Sequence, residues 1–184
     1  MNYKNYFDNY KSSISSLLDS VDSDLIEKSV KLINKKIINK NKIYIVGNGG
    51  SASVASHVSV DFAKVANVPS STFNNSNLIT CFANDYGYEN WVKEAIKAYV
   101  SNNDLLILIS SSGTSMNIIN AAQYCLDQQI DLITLSGFKD INPLNQMGNV
   151  NFHVDSEDYN FIEMTHHIIL VSIVDIFAKN MHKK

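Results

Sequence analysis

Cysteine is scarce in this sequence: Cys81 and Cys125 stand alone in apolar contexts, without the spacing of a metal site. Buried free thiols are the expectation for both. Long apolar runs are missing too. The longest fall far short of a membrane span, and the N-terminus lacks the layout of a signal peptide. A cytoplasmic protein with no membrane partner is expected. Positive charge is not in excess, the formal net charge being −3 and the pI about 5.9. Non-specific nucleic-acid binding needs a clustered basic surface, so no direct nucleic-acid partner is expected. Proline occurs only twice, and no linker, low-complexity segment or short-period repeat divides the chain. With 184 residues, 45% hydrophobic and 18% charged, it reads as one soluble globular domain spanning residues 1–184.

What is present is alternation. Tyr6, Phe7, Tyr10, Ile14, Leu17 and Leu18 recur at helical spacing, and a second helix runs to about Asn39, capped by Ser20, Asp22 or Ser23. These two helices, within residues 1–40, precede the first strand and are expected to pack together or to serve an oligomer interface. From residue 41 to the end, strands and helices take turns. Strands are expected at 42–46, 69–73, 104–109, 131–135 and 150–154. Helices are expected at 51–66, 89–99, from 115, and from about Tyr159 to Met181, with short turns at 78–83 and 144–147. Asn77 is the expected cap of the first short turn. Asp104 to Ile109 is almost wholly apolar, as a central parallel strand covered on both faces would be. The pattern predicts an α/β fold with a mostly parallel sheet.

Two strand ends share one design. Ile43 to Val46 meets Gly47-Asn48-Gly49-Gly50-Ser51 and enters a helix, with Ser51 read as its N-cap. Clustered glycines expose backbone N–H groups beside the positive end of a helix dipole, which makes an anion cradle. Leu105 to Ile109 meets Ser110-Ser111-Ser112-Gly113-Thr114-Ser115, with hydroxyls in place of glycines. Neither turn has the Gly-Lys-Ser/Thr ending of a P-loop, and Gly47-Asn-Gly-Gly-Ser lacks the third glycine of a dinucleotide fingerprint. No nucleotide cofactor is expected. Donors of N–H and O–H type, with few cations near, suit a monophosphate held from two sides. The bland alternative for Ser110–Ser115 is a capped helix start with no ligand. The polar, aromatic stretch Asn84-Asp85-Tyr86-Gly87-Tyr88-Glu89 reads as a loop near that ligand.

Together, Gly47-Asn-Gly-Gly-Ser51, Asn84-Asp-Tyr-Gly87 and Ile109-Ser-Ser-Ser-Gly-Thr-Ser115 resemble the SIS (sugar isomerase) domain. Within it they are most similar to the phosphoheptose isomerase branch, and the likeness covers nearly the whole chain. The resemblance implies a five-stranded, single-domain three-layer sandwich that assembles as a homotetramer with sites between subunits. It implies an aldose–ketose isomerase that converts sedoheptulose 7-phosphate to an aldose 7-phosphate, for the heptoses of bacterial lipopolysaccharide or capsule. It places Asn48, Gly49, Gly50 and Ser51 at the sugar and phosphate, Asn84 and Asp85 at the sugar, and Ser110, Ser111, Ser112 and Ser115 around the phosphate.

Enediol chemistry needs a base for the carbon-bound proton and a carrier for the oxygen-bound one, or a metal to polarise the oxygens. His57 and Asp61, four residues apart, share one face of the helix after the first turn. A solvated surface pair is the bland reading of these two. Glu163 and His166 share a face of the last helix, and Asp61, His166 and Glu163 are the candidate catalytic groups. Some members of the family place zinc between these helices, which here would draw on His57, Asp61 and Glu163. The family usually has Glu where Asp61 stands. Its Gln-Glu-x-His motif appears as Glu163-Met-Thr-His166, and its catalytic histidine two turns later falls on Val171. His167 reads as a helix-flank or interface residue. The alternative class is a non-catalytic SIS module that binds a phosphosugar or a protein partner such as a replication initiator.

Overall fold

Five short segments flanked by turn chemistry become strands here, from the apolar runs at 43–46 and 105–109 to the polar Ser70–Thr72 at one edge of the sheet. The computed structural model describes residues 1–181; residues 182–184 of the expected 1–184 domain lie outside the described residues. The strands are β1 (Ile43–Gly47), β2 (Ser70–Thr72), β3 (Leu105–Ser110), β4 (Asp131–Gly137) and β5 (Val150–Val154). They form one sheet in the order β2-β1-β3-β4-β5, and every pairing is parallel. All six residues of β3 are buried, because helices cover both faces of the sheet. Burying a Leu or Ile side chain contributes about 1.5–3 kcal/mol, so this central strand anchors the core.

The helices are α1 (Tyr3–Asp19), α2 (Ser23–Ile38), α3 (Gly50–Lys64), α4 (Ser76–Tyr86), α5 (Trp91–Tyr99), α6 (Met116–Asp127) and α7 (Tyr159–Met181). One layer packs Ile33 of α2, Val54, Val58 and Phe62 of α3, and Ile169, Ile173 and Phe177 of α7 on Ile43, Ile45, Ile107 and Ile133. The other packs Trp91, Val92 and Ile96 of α5 and Ile118, Ala122 and Cys125 of α6 on Val46, Leu106, Leu108 and Leu132. Odd and even residues of β1 and β3 thus face opposite layers, as a period of two requires. Lys36 ties α2 to the amino ends of β3 and β4: its buried ammonium lies 2.8 Å from Asp131 and donates to Asn103 O at 2.7 Å.

Several local expectations are corrected. Of the two alternatives for the N-terminal helices, mutual packing is the one corrected: α1 lies along α7, with Tyr10 and Phe161 rings 4.7 Å apart, and has no buried residue, whereas α2 joins the core. Gly49, not Ser51, is the N-cap of α3. The short turn expected at 78–83 is a full helix, α4, whose cap is Asn75 rather than Asn77; the Asn75 side chain accepts the Asn77 N–H. Cys125 is buried, and desolvation pushes its thiol up to about 12, but Cys81 is exposed on α4. Helix α7 spans the residues expected for it, but it is more apolar than the short apolar runs of the sequence suggest. Tyr159–Lys179 has mean hydropathy 1.6 and would pass for a span by length and composition. Half of that window is buried, with Ile162, Leu170 and Val174 in the core, so its apolarity is that of a packed helix.

Candidate active site

The chain leaves β1 for β2 on one side and then crosses to β3 on the other, so the direction of winding switches between β1 and β3. Ligands of parallel α/β sheets bind at the carboxyl ends of strands at such a switch. Gly47 pairs with Ile109, which brings the turns after β1 and β3 side by side. Ser51 Oγ and Ser111 Oγ, both buried, are 3.4 Å apart. Ser110 Oγ donates to Ser115 Oγ at 3.1 Å, and Ser112 Oγ accepts from Thr114 N at 3.3 Å and Thr114 Oγ1 at 3.1 Å. Ile118 N returns to Ser115 O at 2.9 Å, so the first N–H groups of α6 point out of the helix, at its positive end.

The serine turn is held by its surroundings. Gly113 has φ +67°, and the Asn142 amide fills the space where a Cβ would stand. Asn142 is buried and donates to Ser136 Oγ, Gly137 O and Lys139 O at 3.2, 3.2 and 2.8 Å. The turn is therefore rigid, and it contains no cation; the whole chain has no arginine.

The first turn has an occupant of its own. The Glu163 carboxylate, reaching over from α7, lies where a Cβ on Gly50 would be and accepts a backbone hydrogen bond from Ser51. Partial burial raises the Glu163 carboxyl above the ordinary carboxylate range, and the Ser51 N–H only partly offsets this. The anion cradle at α3 thus holds a carboxylate of the chain itself. An anionic ligand is left the serine turn beside it.

Asn48, between the two turns, is locked. Its Nδ2 donates to Asn117 Oδ1 and Asn117 Nδ2 donates back to Asn48 Oδ1, both at 2.9 Å. Tyr88 OH adds a third bond to Asn48 Oδ1 at 3.2 Å. Asn117 escaped the sequence reading, yet a signal exists: it is the polar member of a buried helical stripe with Ile118, Ala121, Ala122 and Cys125. Asn84 and Asp85 are not in a loop but in the last turn of α4, where both are exposed and Asn84 Nδ2 donates to Asp85 Oδ1 at 2.9 Å. Among the described residues no hydrogen bond joins them to either turn; Tyr88 is the residue of that stretch that reaches Asn48.

Further along α3 and α7, His57 Nε2 lies 3.1 Å from Asp61 Oδ2, and His57 Nδ1 is 2.7 Å from His167 Nε2. A carboxylate beside Nε2 favours the N–H on that nitrogen, so a neutral His57 accepts at Nδ1 from His167 Nε2–H. His167 then keeps a lone pair on Nδ1, and its basicity is lowered by burial first and by His57 second, with Asp61 opposing. This corrects the choice between the two histidines. His166 is wholly enclosed, its Nε2 meets Ser136 O at 3.0 Å, and burial pushes its imidazole down to about 4. It belongs to the packing of α7 on β4.

A metal ion needs donors that converge on one point. Both nitrogens of His57 are engaged, and Glu163 sits at Gly50 and Ser51 instead of joining His57 and Asp61. Among the described residues no group of three His, Cys, Asp or Glu side chains is arranged to hold a metal. The residues as placed do not fit zinc.

The fold and the paired serine and glycine turns define a class, and sequence comparison gives the same one. The family model described as SIS domain matches residues 5–137, and the chain belongs to that family. Relatives that are similar over most of the chain include phosphoheptose isomerases. One from Aliarcobacter butzleri is 31% identical over 178 residues, covering 94% of this chain and 93% of the relative. One from Colwellia psychrerythraea is 32% identical over 159 residues, covering 82% and 81%. Among solved structures, a phosphoheptose isomerase from Neisseria gonorrhoeae superimposes with a TM-score of 0.85 at 20% identity, covering 96% of this chain and 99% of that one.

Proposed function

We propose that this protein is an aldose–ketose isomerase acting on a phosphorylated sugar, with sedoheptulose 7-phosphate as substrate and an aldose 7-phosphate as product. Curated relatives named phosphoheptose isomerase, matched over nearly the full chain, support the reaction class. One observation carries it to residues: Ser51 and Ser111 join the two turns, with the Glu163 carboxylate seated over Gly50 beside them. The alternative of a non-catalytic module is not favoured by the names of these relatives.

In this reading Ser110, Ser111, Ser112 and Ser115 receive the phosphate, together with the first N–H groups of α6. Asn48, Gly49, Gly50 and Ser51 face the sugar, and Asn84 and Asp85 line its approach. Glu163, held less acidic than an ordinary carboxyl, takes the proton from C1 of the ketose and returns it to C2. The electron pair left by the C1–H bond forms the C1–C2 double bond of the enediol, and the carbonyl electrons move to O2. Asp61, His57 and His167 serve the exchange of protons between O1 and O2, with His167 taking the part first given to His166. No step runs through a metal. The assembly that goes with this reading is a cytoplasmic homotetramer, supported by exposed apolar residues on α1 (Tyr3, Tyr6, Phe7) and α7 (Met164, Ile168). Incubation with sedoheptulose 7-phosphate, followed by NMR, tests the reaction: the aldose should accumulate, and Glu163→Gln should abolish turnover. Full activity in Glu163→Gln overturns the assignment of the base.

A further inference from the structure

The pair Asn48–Asn117 has a bonding arithmetic that narrows what Asn48 can do. A side-chain amide offers two N–H donors and two acceptor lone pairs on its oxygen. Asn48 Oδ1 takes one bond from Asn117 Nδ2 and one from Tyr88 OH, so both lone pairs are committed. Asn48 Nδ2 gives one N–H to Asn117 Oδ1 and keeps the other. Asn117 is 3% exposed and fixed in the first turn of α6, so it does not turn away to release its partner.

We infer that Asn117 is a positioning residue that makes Asn48 a donor only, with a single N–H left for a substrate oxygen that accepts. This rests on the isomerase reading of the same site. The preferred oxygen is one that gains negative charge as the enediol forms, since a fixed donor stabilises such an atom more in the transition state than in the ground state. Tyr88 completes the arrangement by filling the second lone pair, which also turns the amide away from substrate hydroxyl groups that would donate. Phosphate is held elsewhere, by the serine turn, so the role of Asn117 is separable from phosphate binding.

Asn117→Ala and the isosteric Asn117→Asp test this. Both should lower kcat on sedoheptulose 7-phosphate by about 10- to 100-fold, while KM and competitive inhibition by inorganic phosphate change less than about threefold. Equal loss of phosphate inhibition and of turnover, or unchanged kcat in both variants, overturns the inference. A second readout does not depend on turnover. In the ¹⁵N-labelled wild-type protein, the Asn48 side-chain amide should shift when sedoheptulose 7-phosphate saturates the site, and that shift should vanish in Asn117→Asp. If the wild-type protein binds the sugar without converting it, the isomerase reading fails on its own, and the Asn48 resonance still decides the donor role. An Asn48 amide that ignores bound sugar overturns it.

Discussion

The carboxylate of Glu163 occupies the space that a Cβ on Gly50 would take, one helix lying across the first turn of another. This contact explains a glycine in a helix, where it otherwise costs about 1 kcal/mol relative to alanine. It also separates stability from activity. In Gly50→Ala the long Glu163 side chain swings aside, so thermal stability should hold or rise slightly. Activity should fall by at least about tenfold, because the carboxylate no longer sits over Ser51. Thermal melts alongside kcat/KM check this, and unchanged activity would remove Glu163 from the site.

Gly113→Ala should behave in the opposite way. A side chain there must adopt φ +67° and displace the buried, triply bonded Asn142. A loss of about 2–4 kcal/mol is expected in urea titrations, from left-handed backbone strain and broken buried hydrogen bonds.

His166 gives the fold an acid sensitivity. Its imidazole is neutral in the folded protein down to about 4, whereas the unfolded chain protonates it near the ordinary histidine value of 6.5. Between these values the unfolded state binds the extra proton, so stability is fully present above about pH 6.5 and is lost as pH falls towards 4. The full loss amounts to about 3 kcal/mol. Unfolding free energies at pH 7 and pH 5 should differ less in His166→Gln than in the wild-type protein.

Activity has its own pH dependence. The Glu163 carboxyl is raised by burial, so the acid limb of kcat/KM in the wild-type protein should lie above the ordinary carboxylate range; a limb within that range would argue against Glu163 as the base. Asp61→Asn leaves the His57–His167 contact in place but removes the carboxylate beside His57 Nε2. A loss of about 100-fold in kcat with little change in KM is expected if this chain carries protons between the substrate oxygens.

Much of the fold was legible because its signals are local. The apolar run of β3, the hydroxyl and glycine turns, and the helical spacing of α2 and α5 each depend on neighbouring residues. The failures share one cause, which is distance along the chain. Whether His166 or His167 faces Asp61 depends on the rotation of α7 against α3, set by where Ile162, Ile169 and Ile173 pack. That Glu163 fills the first cradle requires α7 to cross the N-terminus of α3, more than a hundred residues away in sequence. Asn84 and Asp85 carry loop composition, yet packing of the partly buried Leu78, Ile79 and Phe82 against the α5 layer accompanies a helix α4 that runs through them. Asn117 could have been suspected as the polar member of a buried stripe, but its partner across 69 residues could not.

Conversion of sedoheptulose 7-phosphate in deuterated water, followed by ¹H NMR, tests the central claim most directly. The expected result is formation of the aldose 7-phosphate with solvent deuterium at C2, lost in Glu163→Gln while inorganic phosphate still binds. No interconversion, and no exchange of the C1 protons of the ketose, by a wild-type protein that binds phosphate would contradict it.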